Sequence, residues 1–353
     1  MTEAVTGESN EVLTRVDNGI GLITLNRPKA INSLNQTMVE LLSSVLIRWA
    51  RDDEVRAVVL SGAGERGLCA GGDVVAIYHS ARKDGVDARR FWRDEYLLNA
   101  RVGAFPKPYV SLMDGIVMGG GVGVGAHANV RVVTDTSKVA MPEVGIGFIP
   151  DVGGAYLLSR APGALGLYAA LTGAPFSGAD AIALGFADHY VPHSELEAFR
   201  TAIVADGVTS AVAHYATEPP NSDLAAQRDW IDKCFAGDTV EDIVAALRAH
   251  GGPGEDAANL IGTRSPIALS VTLAAVRRAA KLDTLEDVLN QDYRVSSASL
   301  RSHDLVEGIR AQLVDKDRHP KWSPATLAEV TAADIEAYFE PVDDDLTFPK
   351  GAE

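Results

Sequence analysis

The chain has 353 residues, of which 46% are apolar and 23% are charged, and its formal net charge is −16 at pH 7. This composition indicates a globular protein with a large buried core and argues against collagen-like or disordered classes. A strongly acidic protein repels phosphate backbones, so we expect no nucleic-acid partner.

Features of targeting and membrane segments are missing from the sequence. The amino-terminal residues MTEAVTGESNEV have neither the basic nor the apolar region of a signal peptide. The longest uncharged apolar run, residues 115–126, is too short and too rich in glycine to span a bilayer. Cys69 and Cys234 lie far apart and suggest no disulfide framework. We therefore expect a cytoplasmic protein with no membrane partner.

Hydrophobic patterning predicts alternating strands and helices in the first part of the chain. The predicted strands cover residues 18–25, 57–60, 109–113, 130–133 and 186–191. The predicted helices cover residues 34–49, 87–103, 152–173 and 193–205. This alternation is typical of an α/β core.

The pattern changes after about residue 205, where helical periodicity continues without strand-like runs. Predicted helices there cover residues 222–250, 256–281 and 284–314. We therefore predict an α/β core over residues 12–215 and a helical region over residues 216–340. Residues 1–11 and 341–353 are predicted to be loosely ordered tails.

Two glycine-rich stretches each follow a predicted strand: LCAGGD at residues 68–73 and MGGGVG at residues 118–123. Small residues let a ligand approach backbone N–H groups, and two such donors converging on one carbonyl oxygen would form an oxyanion hole. Tight packing of a strand against a helix also explains these glycines. Residues 121–126 match the GxGxx[GA] pattern of dinucleotide sites, but they do not open a first βαβ unit.

Two carboxylates lie in the next segment rich in Pro and Gly. Glu143 is flanked by apolar residues, and burial raises the pKa of a carboxyl group toward the range used in acid–base or nucleophilic chemistry. Asp151 suits the same chemistry, or it caps a helix that begins at the next residue. The pattern alone predicts that Glu95 lies on a solvent-exposed helix face. The eight histidines show no metal-ligand spacing, so no metal site is predicted.

These motifs, in this order, resemble the crotonase (enoyl-CoA hydratase/isomerase) superfamily. The matching segments are NRPKAIN at 26–32, CAGGD at 69–73, GGG at 119–121, MPEVGIGFIPDVGG at 141–154, LTG at 171–173 and ALGFA at 183–187. The resemblance implies a crotonase-like ββα spiral core that binds an acyl-CoA thioester, followed by a helical C-terminal extension. It implies oxyanion-hole N–H groups on Ala70 and Gly120. It also places CoA close to Arg27, Lys29 and Ala30.

Two departures from the hydratase pattern indicate a subgroup. Hydratases of this superfamily carry a catalytic Glu at the position of Gly123 and a small residue at the position of Asp151. Both departures are similar to the 3-hydroxyisobutyryl-CoA hydrolase family, as are QDYR at 291–294 and HDLVEGIR at 303–310. The resemblance implies that Glu143 and Asp151 are catalytic. It further implies that Glu95, Gly120, Glu143 and Asp151 contact the acyl group.

The implied reaction is hydrolysis of 3-hydroxyisobutyryl-CoA, a step of valine catabolism, to the hydroxy acid and CoA. We expect no cofactor, because CoA is part of the substrate. An enoyl-CoA hydratase or isomerase is one alternative, and a non-catalytic acyl-CoA-binding protein is another. The superfamily often forms trimers or hexamers, which makes a homo-oligomer one alternative; in the other, the helical extension occupies the usual interface, so the sequence leaves the oligomeric state open.

Overall fold

A computed structural model describes residues 10–348 of the chain, which divide into two compact units. The first unit comprises the described residues up to Gly72 together with Leu97–Val139 and Phe176–Ser222. The second comprises Asp73–Tyr96, Ala140–Pro175 and the described residues from Asp223 onward.

The strands form two sheets. They are β1 Val12–Asp17, β2 Ile20–Leu25, β3 Ala57–Gly62, β4 Tyr109–Met113, β5 Ile116–Met118, β6 Val130–Val133, β7 Lys138–Ala140, β8 Phe176–Ser177 and β9 His189–Tyr190. The larger sheet has the order β1-β2-β3-β4-β6-β9, and the smaller has the order β5-β7-β8. In the larger sheet β1 is antiparallel to β2, and the following pairs are parallel. Parallel neighbours joined by helices confirm the predicted α/β class.

The α-helices are numbered in chain order. They are α1 Gln36–Arg51, α2 Val74–Ala81, α3 Val86–Gly103, α4 Gly120–Gly125, α5 Gly154–Leu158, α6 Leu165–Thr172, α7 Gly178–Ala183, α8 Leu196–Asp206, α9 Val208–Tyr215, α10 Arg228–Cys234, α11 Val240–His250, α12 Pro253–Ile261, α13 Pro266–Ala279, α14 Leu285–Ser299, α15 His303–Ile309 and α16 Ala332–Glu336. Within the described residues, none of these helices is long and apolar enough to cross a membrane.

Helix α1 shows how the local sequence determines where a helix of the first unit begins and which of its residues are buried. The Asn35 side chain accepts a hydrogen bond from the Met38 N–H at 2.9 Å and so caps the helix. Apolar residues at helical spacing, among them Leu42 and Trp49, are buried. Gly21 on β2 leaves room for the Trp49 ring, because a Cβ there would lie 2.6 Å from it.

The first predicted strand is too long at its start, and the strand before it was missed. Asn18 and Gly19 have φ values of 47° and 75°, so they form the turn of a hairpin between β1 and β2. Asn-Gly favours this turn because both positions need positive φ. The same dipeptide in the sequence could have located the hairpin.

Several predicted helices are interrupted. The helix predicted over 152–173 is two helices, α5 and α6, because Pro162 and Gly163 intervene and Gly163 has a φ of 59°. The helix predicted over 284–314 ends at Ser299. Ser302 then caps α15 by accepting a hydrogen bond from the Asp304 N–H.

The second unit differs from the predicted linear division at residue 215. It combines two stretches of the predicted core, residues 73–96 and 140–175, with the helices that follow Asp223. Its apolar core shows why: Ile149 packs with residues of three C-terminal segments. These are Ile267, Val271 and Ala275 of α13, Val295 of α14, and Phe339. Apolar side chains of distant segments meet only in the tertiary structure, so chain order does not reveal this unit.

The described parts of the predicted tails make specific contacts. Glu11 forms an ion pair with Arg27, with 3.2 Å between Oε1 and Nε. At the other end, the Tyr293 hydroxyl donates to Asp344 Oδ2 at 2.9 Å, and Arg294 pairs with Asp345. Residues 341–348 are therefore anchored to α14, although they form no helix or strand. The rest of the predicted tails, residues 1–9 and 349–353, lies outside the described residues.

Candidate active site

Glu143 lies in a turn that is held by close backbone packing. It begins the 3₁₀ turn Glu143–Ile146, which Gly147 ends with a φ of 72°. Helix α15 packs directly against this turn, because a Cβ on Gly308 would overlap the backbone of Ile146. The Ser265 N–H donates to the Val144 carbonyl oxygen at 3.3 Å. Little freedom is left to the backbone that carries the Glu143 side chain.

The Glu143 carboxyl group is buried in an environment that disfavours its charge. The residue is 7% exposed, and its Oε2 has no hydrogen-bond partner among the described residues. Burial and, secondly, the charge of Asp151 raise the pKa of Glu143 well above its usual value. The apolar flanks seen in the sequence do bury this side chain, as expected.

Asp151 occupies a strained loop. Val152 has a φ of 52°, which is unusual for a β-branched residue, and Gly153 follows with a φ of 75°. The Gly153 N–H donates to Asp292 Oδ2 at 2.9 Å, and the Gly154 N–H donates to the Asp151 carbonyl oxygen at 2.6 Å. The loop thus holds the Asp151 side chain in one place, and α5 begins at Gly154 rather than at residue 152.

A tyrosine and a serine support the Asp151 carboxylate. The Tyr96 hydroxyl donates to Asp151 Oδ2 at 2.6 Å and lies 2.6 Å from Ser296 Oγ. Tyr96 has one hydroxyl proton, so Ser296 donates to the Tyr96 oxygen when Tyr96 donates to Asp151. Burial, then the charge of Asp151, raises the pKa of Tyr96 well above its usual value, so the hydroxyl stays a donor.

Burial also raises the pKa of Asp151, to about 7, while the hydrogen bond from Tyr96 acts in the opposite direction. An ordinary Asp carboxyl group ionises near pH 4. Asp151 therefore gains or loses its proton around neutral pH, where a general acid or base is most effective.

Glu95 lies one residue before Tyr96 on α3 and is 2% exposed. Its Oε1 is buried without a partner among the described residues. Burial and, to a smaller extent, the charge of Asp151 raise its pKa well above the usual value. The pattern predicted that Glu95 lies on a solvent-exposed helix face, and this prediction is wrong, because this face of α3 meets a buried polar cluster. Trp92, one turn earlier, stacks on Phe148 with ring centroids 5.3 Å apart.

A fourth buried carboxyl group, Asp292 on α14, was not recognised from the sequence as a site residue. It is 0% exposed, and burial raises its pKa well above the usual value. We call Glu95, Glu143, Asp151 and Asp292 the acid cluster. No Lys or Arg forms an ion pair with any of them in the part of the chain that the structure describes. Like charges in a buried site repel, so the cluster cannot be fully ionised at neutral pH.

The two glycine-rich stretches lie side by side in the first unit. Cys69 forms a bridge with Val117, and a Cβ on Gly121 would overlap the Cys69 carbonyl oxygen. A Cβ on Gly71, whose φ is 111°, would lie 3.8 Å from the Gly120 nitrogen. The approach of Gly121 to Cys69 requires a residue without a side chain, and the positive φ of Gly71 favours glycine there. The structure therefore brings residues 69–72 next to residues 117–121, as an arrangement of two backbone donors requires.

The predicted donor Ala70 needs correction. Its N–H already donates to the Ile31 carbonyl oxygen at 2.9 Å, so it is engaged within the protein. Two residues later, the N–H of Gly72 has no acceptor among the described residues, and neither has the N–H of Gly120 at the start of α4. Gly72 and Gly120 are thus the available pair. Sequence reasoning missed Gly72 because backbone hydrogen bonds leave no mark on residue type.

Of the predicted CoA-proximal residues, Lys29 and Ala30 lie on the turn Pro28–Ala30 of the first unit, and Arg27 immediately precedes it. Arg27 is occupied by Glu11 and by a hydrogen bond from its Nη1 to the Ser33 carbonyl oxygen at 2.6 Å. Lys29 and Ala30 are exposed. Arg66, which was not predicted, donates to the Pro28 and Lys29 carbonyl oxygens at 2.5 and 2.7 Å. Lys29 is therefore the more available cation of the predicted pair.

Solved structures share this fold. A structure described as a carnitinyl-CoA dehydratase from Mycobacterium thermoresistibile is 72% identical, with a TM-score of 0.94 over 96% of this chain and 99% of that one. One described as an enoyl-CoA hydratase from Rhodobacter sphaeroides 2.4.1 is 38% identical, with a TM-score of 0.91 over 96% of this chain and 100% of that one. These matches confirm the predicted crotonase-like core with its helical C-terminal extension.

Fold and sequence together define an enzyme of the crotonase class. A family model described as enoyl-CoA hydratase/isomerase matches residues 20–339, and the chain belongs to that family. The mitochondrial 3-hydroxyisobutyryl-CoA hydrolase of Danio rerio is 38% identical over 95% of this chain and 91% of its own length. The corresponding protein of Homo sapiens is 38% identical over 97% of this chain and 92% of its own length.

Proposed function

We propose that the protein hydrolyses the thioester of a short, branched 3-hydroxyacyl-CoA, with 3-hydroxyisobutyryl-CoA as the expected substrate. The observation that carries the proposal is the buried pair Glu143 and Asp151, with Asp151 ionising near pH 7. A poised carboxylate pair suits the activation of water or direct attack on a carbonyl carbon. The relatives named 3-hydroxyisobutyryl-CoA hydrolase, which align over most of both chains, support the same reaction.

Position 123 supports hydrolysis over hydration. Gly123 lies within α4 and is buried, so no carboxyl group is available where hydratases of the superfamily carry a catalytic Glu. Addition of water across a double bond in those enzymes uses two carboxylates. Hydrolysis of a thioester needs one nucleophile or base and an oxyanion site.

We assign the oxyanion site to the N–H groups of Gly72 and Gly120. In the transition state the thioester oxygen becomes negatively charged, and two preorganised N–H donors stabilise it more than they stabilise the neutral carbonyl. Removing one such donor typically raises the barrier by about 2.7–4 kcal/mol.

Glu143 has two routes to the products. As a base, it removes a proton from water; the hydroxide attacks the carbonyl carbon, the C–S bond breaks, and the CoA thiolate takes up a proton. As a nucleophile, its carboxylate attacks the same carbon and expels the CoA thiolate, and water then cleaves the resulting anhydride. Both routes yield the free hydroxy acid and CoA. Asp151 orients Glu143 or the water in each of them.

Glu95 is assigned to the hydroxyl group of the substrate. Its Oε1 is buried without a partner among the described residues, so a substrate hydroxyl could complete its hydrogen bonding. A buried polar group of this kind discriminates strongly against analogues that lack the matching hydroxyl. The assignment therefore predicts a preference for 3-hydroxyacyl esters over plain acyl esters.

Dehydration or hydration of an acyl-CoA is the second candidate function. The specific observation in its favour is the 72% identity to the structure described as a carnitinyl-CoA dehydratase. It requires water or hydroxide to be handled by Glu143 and Asp151 without a carboxylate at position 123. A non-catalytic acyl-CoA-binding protein is the third candidate function. It gives no role to the acid cluster, whose carboxyl groups have raised pKa values.

Other expectations from the sequence remain proposals. They are the absence of any cofactor besides the CoA of the substrate, a cytoplasmic location and a place in valine catabolism, with a homo-oligomer as one alternative for the oligomeric state. The matched hydrolases are named as mitochondrial proteins, so location has to be measured for this chain.

A paired assay on the purified protein tests the function. Release of the CoA thiol from 3-hydroxyisobutyryl-CoA is followed beside loss of the enoyl absorbance of crotonyl-CoA, with carnitinyl-CoA as a third substrate. Thiol release without hydration supports the hydrolase. Hydration or dehydration without thiol release refutes it and supports the second candidate. Tight binding of these esters without turnover supports the binding protein.

A further inference from the structure

Asp292 is a buried acid that the proposed reaction does not use. Its Oδ2 accepts the Gly153 N–H at 2.9 Å, and its Oδ1 is buried without a partner in the described part of the chain. A buried carboxyl group without a counterion is costly to keep, so a neutral or apolar residue would serve packing better. Its presence calls for a functional explanation.

The contact made by Asp292 falls on the strained loop. Val152 has a positive φ, and such backbone persists only where the surroundings hold it. The Gly153 N–H belongs to the peptide that follows Val152, so the Asp292 carboxyl group holds the loop at its strained point. The Asp151 side chain is attached at the preceding residue.

Helix α14 also supports the side chain of Asp151. Ser296 lies one turn after Asp292, on the same helical face, and contacts the Tyr96 hydroxyl that donates to Asp151. The helix itself is anchored, because Thr284 caps it and the Gln291 side-chain amide donates to the Ala275 carbonyl oxygen at 3.1 Å. One helix therefore contacts both the backbone that follows Asp151, at Gly153, and the Tyr96 hydroxyl that donates to the Asp151 carboxylate.

We propose that Asp292 is a positioning residue for the thioester hydrolysis. It holds the loop of residues 151–153 in its strained conformation and so keeps the Asp151 carboxylate aligned with Glu143. This inference rests on the proposed function, because it takes Asp151 to be part of the reacting site.

Asp292 has a second effect through its charge. The titratable groups that face it are Asp151, Glu143 and Tyr96, with Glu95 as the remaining member of the acid cluster. No cation pairs with these carboxyl groups among the described residues, so each negative charge makes the next ionisation harder. The charge of Asp292 contributes to the raised pKa of Glu143. Replacing Asp292 by a neutral acceptor therefore lets Glu143 ionise at lower pH.

Two substitutions separate positioning from packing. Asp292→Asn keeps an oxygen that can accept the Gly153 N–H, whereas Asp292→Leu has the same branched shape, a larger volume and no acceptor. We expect Asp292→Leu to lower kcat at least about 10-fold with KM within about threefold, since orientation of a catalytic group affects the chemical step. We expect Asp292→Asn to keep kcat within about threefold and to move the acid limb of the pH–rate profile to lower pH.

Asp304→Asn is the matched control. Asp304 is also 0% exposed and in the same unit, and it accepts hydrogen bonds from Ser265 Oγ at 2.6 Å and from the Ser323 N–H at 2.7 Å. This substitution should lower the unfolding temperature without moving the pH–rate profile. If Asp292→Leu does not fold, Asp292→Ala, which is smaller and also lacks an acceptor, replaces it, with the same fall in kcat expected at unchanged KM.

The proposal is overturned if Asp292→Leu retains kcat within twofold, or if Asp292→Asn loses as much activity as Asp292→Leu with an unmoved acid limb. If the Leu variant does not fold, an unchanged kcat in Asp292→Ala overturns the proposal. Failure of the proposed function is recognised separately. In that case the wild-type protein releases no thiol, and the same variants are compared by their rate of hydration and by infrared titration of the ligand-free carboxyl groups.

Discussion

Tyr96→Phe tests the electrostatic account of the acid cluster. The substitution removes the hydroxyl that donates to Asp151 Oδ2 at 2.6 Å and keeps the buried ring. A hydrogen bond to an ionised group contributes about 1.5–3 kcal/mol, which corresponds to about a 10- to 150-fold change in the ionisation equilibrium. The loss disfavours the ionised form, so the pKa of Asp151 rises.

The size of the effect follows from the position of Asp151 near neutrality. With a pKa of about 7, about half of Asp151 is ionised at pH 7 in the wild-type protein. In Tyr96→Phe this fraction falls to between about 9% and below 1%. If the ionised form is required, kcat/KM at pH 7 falls about 5- to 75-fold and recovers as the pH approaches 9.

The assay is the pH dependence of kcat/KM for thiol release between pH 5 and 10. Tyr293→Phe is the matched control, because the Tyr293 hydroxyl also donates to a carboxylate, Asp344 Oδ2 at 2.9 Å, outside the acid cluster. Its profile should overlay that of the wild-type protein. An equal loss of activity at every pH, or an acid limb that stays in place in Tyr96→Phe, would refute the reasoning.

Three further predictions concern the carboxylates and the glycine-rich stretches. Glu143→Gln should reduce thiol release at least about 100-fold while calorimetry still detects binding of the CoA ester; near-normal turnover would exclude Glu143 as base or nucleophile. Burial raises the pKa of Asp151 from 3.8 to about 7, so the native state binds this proton more tightly than the unfolded state, and the free energy of unfolding falls as pH rises from about 4 to 7. Urea unfolding of the wild-type protein should show this fall in the free energy of unfolding, which amounts to at most about 4 kcal/mol for this group. The fall should be smaller in Asp151→Asn, and an equal dependence on pH in both proteins would contradict the prediction. Gly121→Ala places a Cβ on the Cys69 carbonyl oxygen, so turnover and the unfolding midpoint should both fall, and an unchanged rate would show that this close approach is not needed.

Much of the local architecture could be predicted from residue pattern. Apolar residues at helical spacing located α1, and short apolar runs located β3, β4 and β6. The hairpin before β2 and the breaks at Pro162 and Ser299 were missed, although Asn-Gly and Pro-Gly dipeptides mark two of these positions. The two breaks concern boundaries, which depend on a few backbone angles. Strand β1 was missed as a whole, because only one of its six residues is buried.

The acid cluster was predicted in part. Glu143 and Asp151 are close in sequence, in one segment rich in Pro and Gly, and the apolar neighbours of Glu143 indicated its burial. Glu95 was read from its pattern as solvated, because a helix face that meets buried carboxyl groups is polar, like a face that meets water. Helical periodicity measures apolarity and does not distinguish these two surroundings.

The sequence by itself determined the class of the fold, the family and the two carboxylates of the central motif. The tertiary structure decided which groups act on them: Tyr96 precedes Asp151 by 55 residues and Asp292 follows Gly153 by 139. It also decided that the Gly72 N–H is available and the Ala70 N–H is not, because that depends on a hydrogen bond to Ile31. Residue types encode burial and local conformation, whereas pKa and free donors arise from distances between segments that only folding brings together.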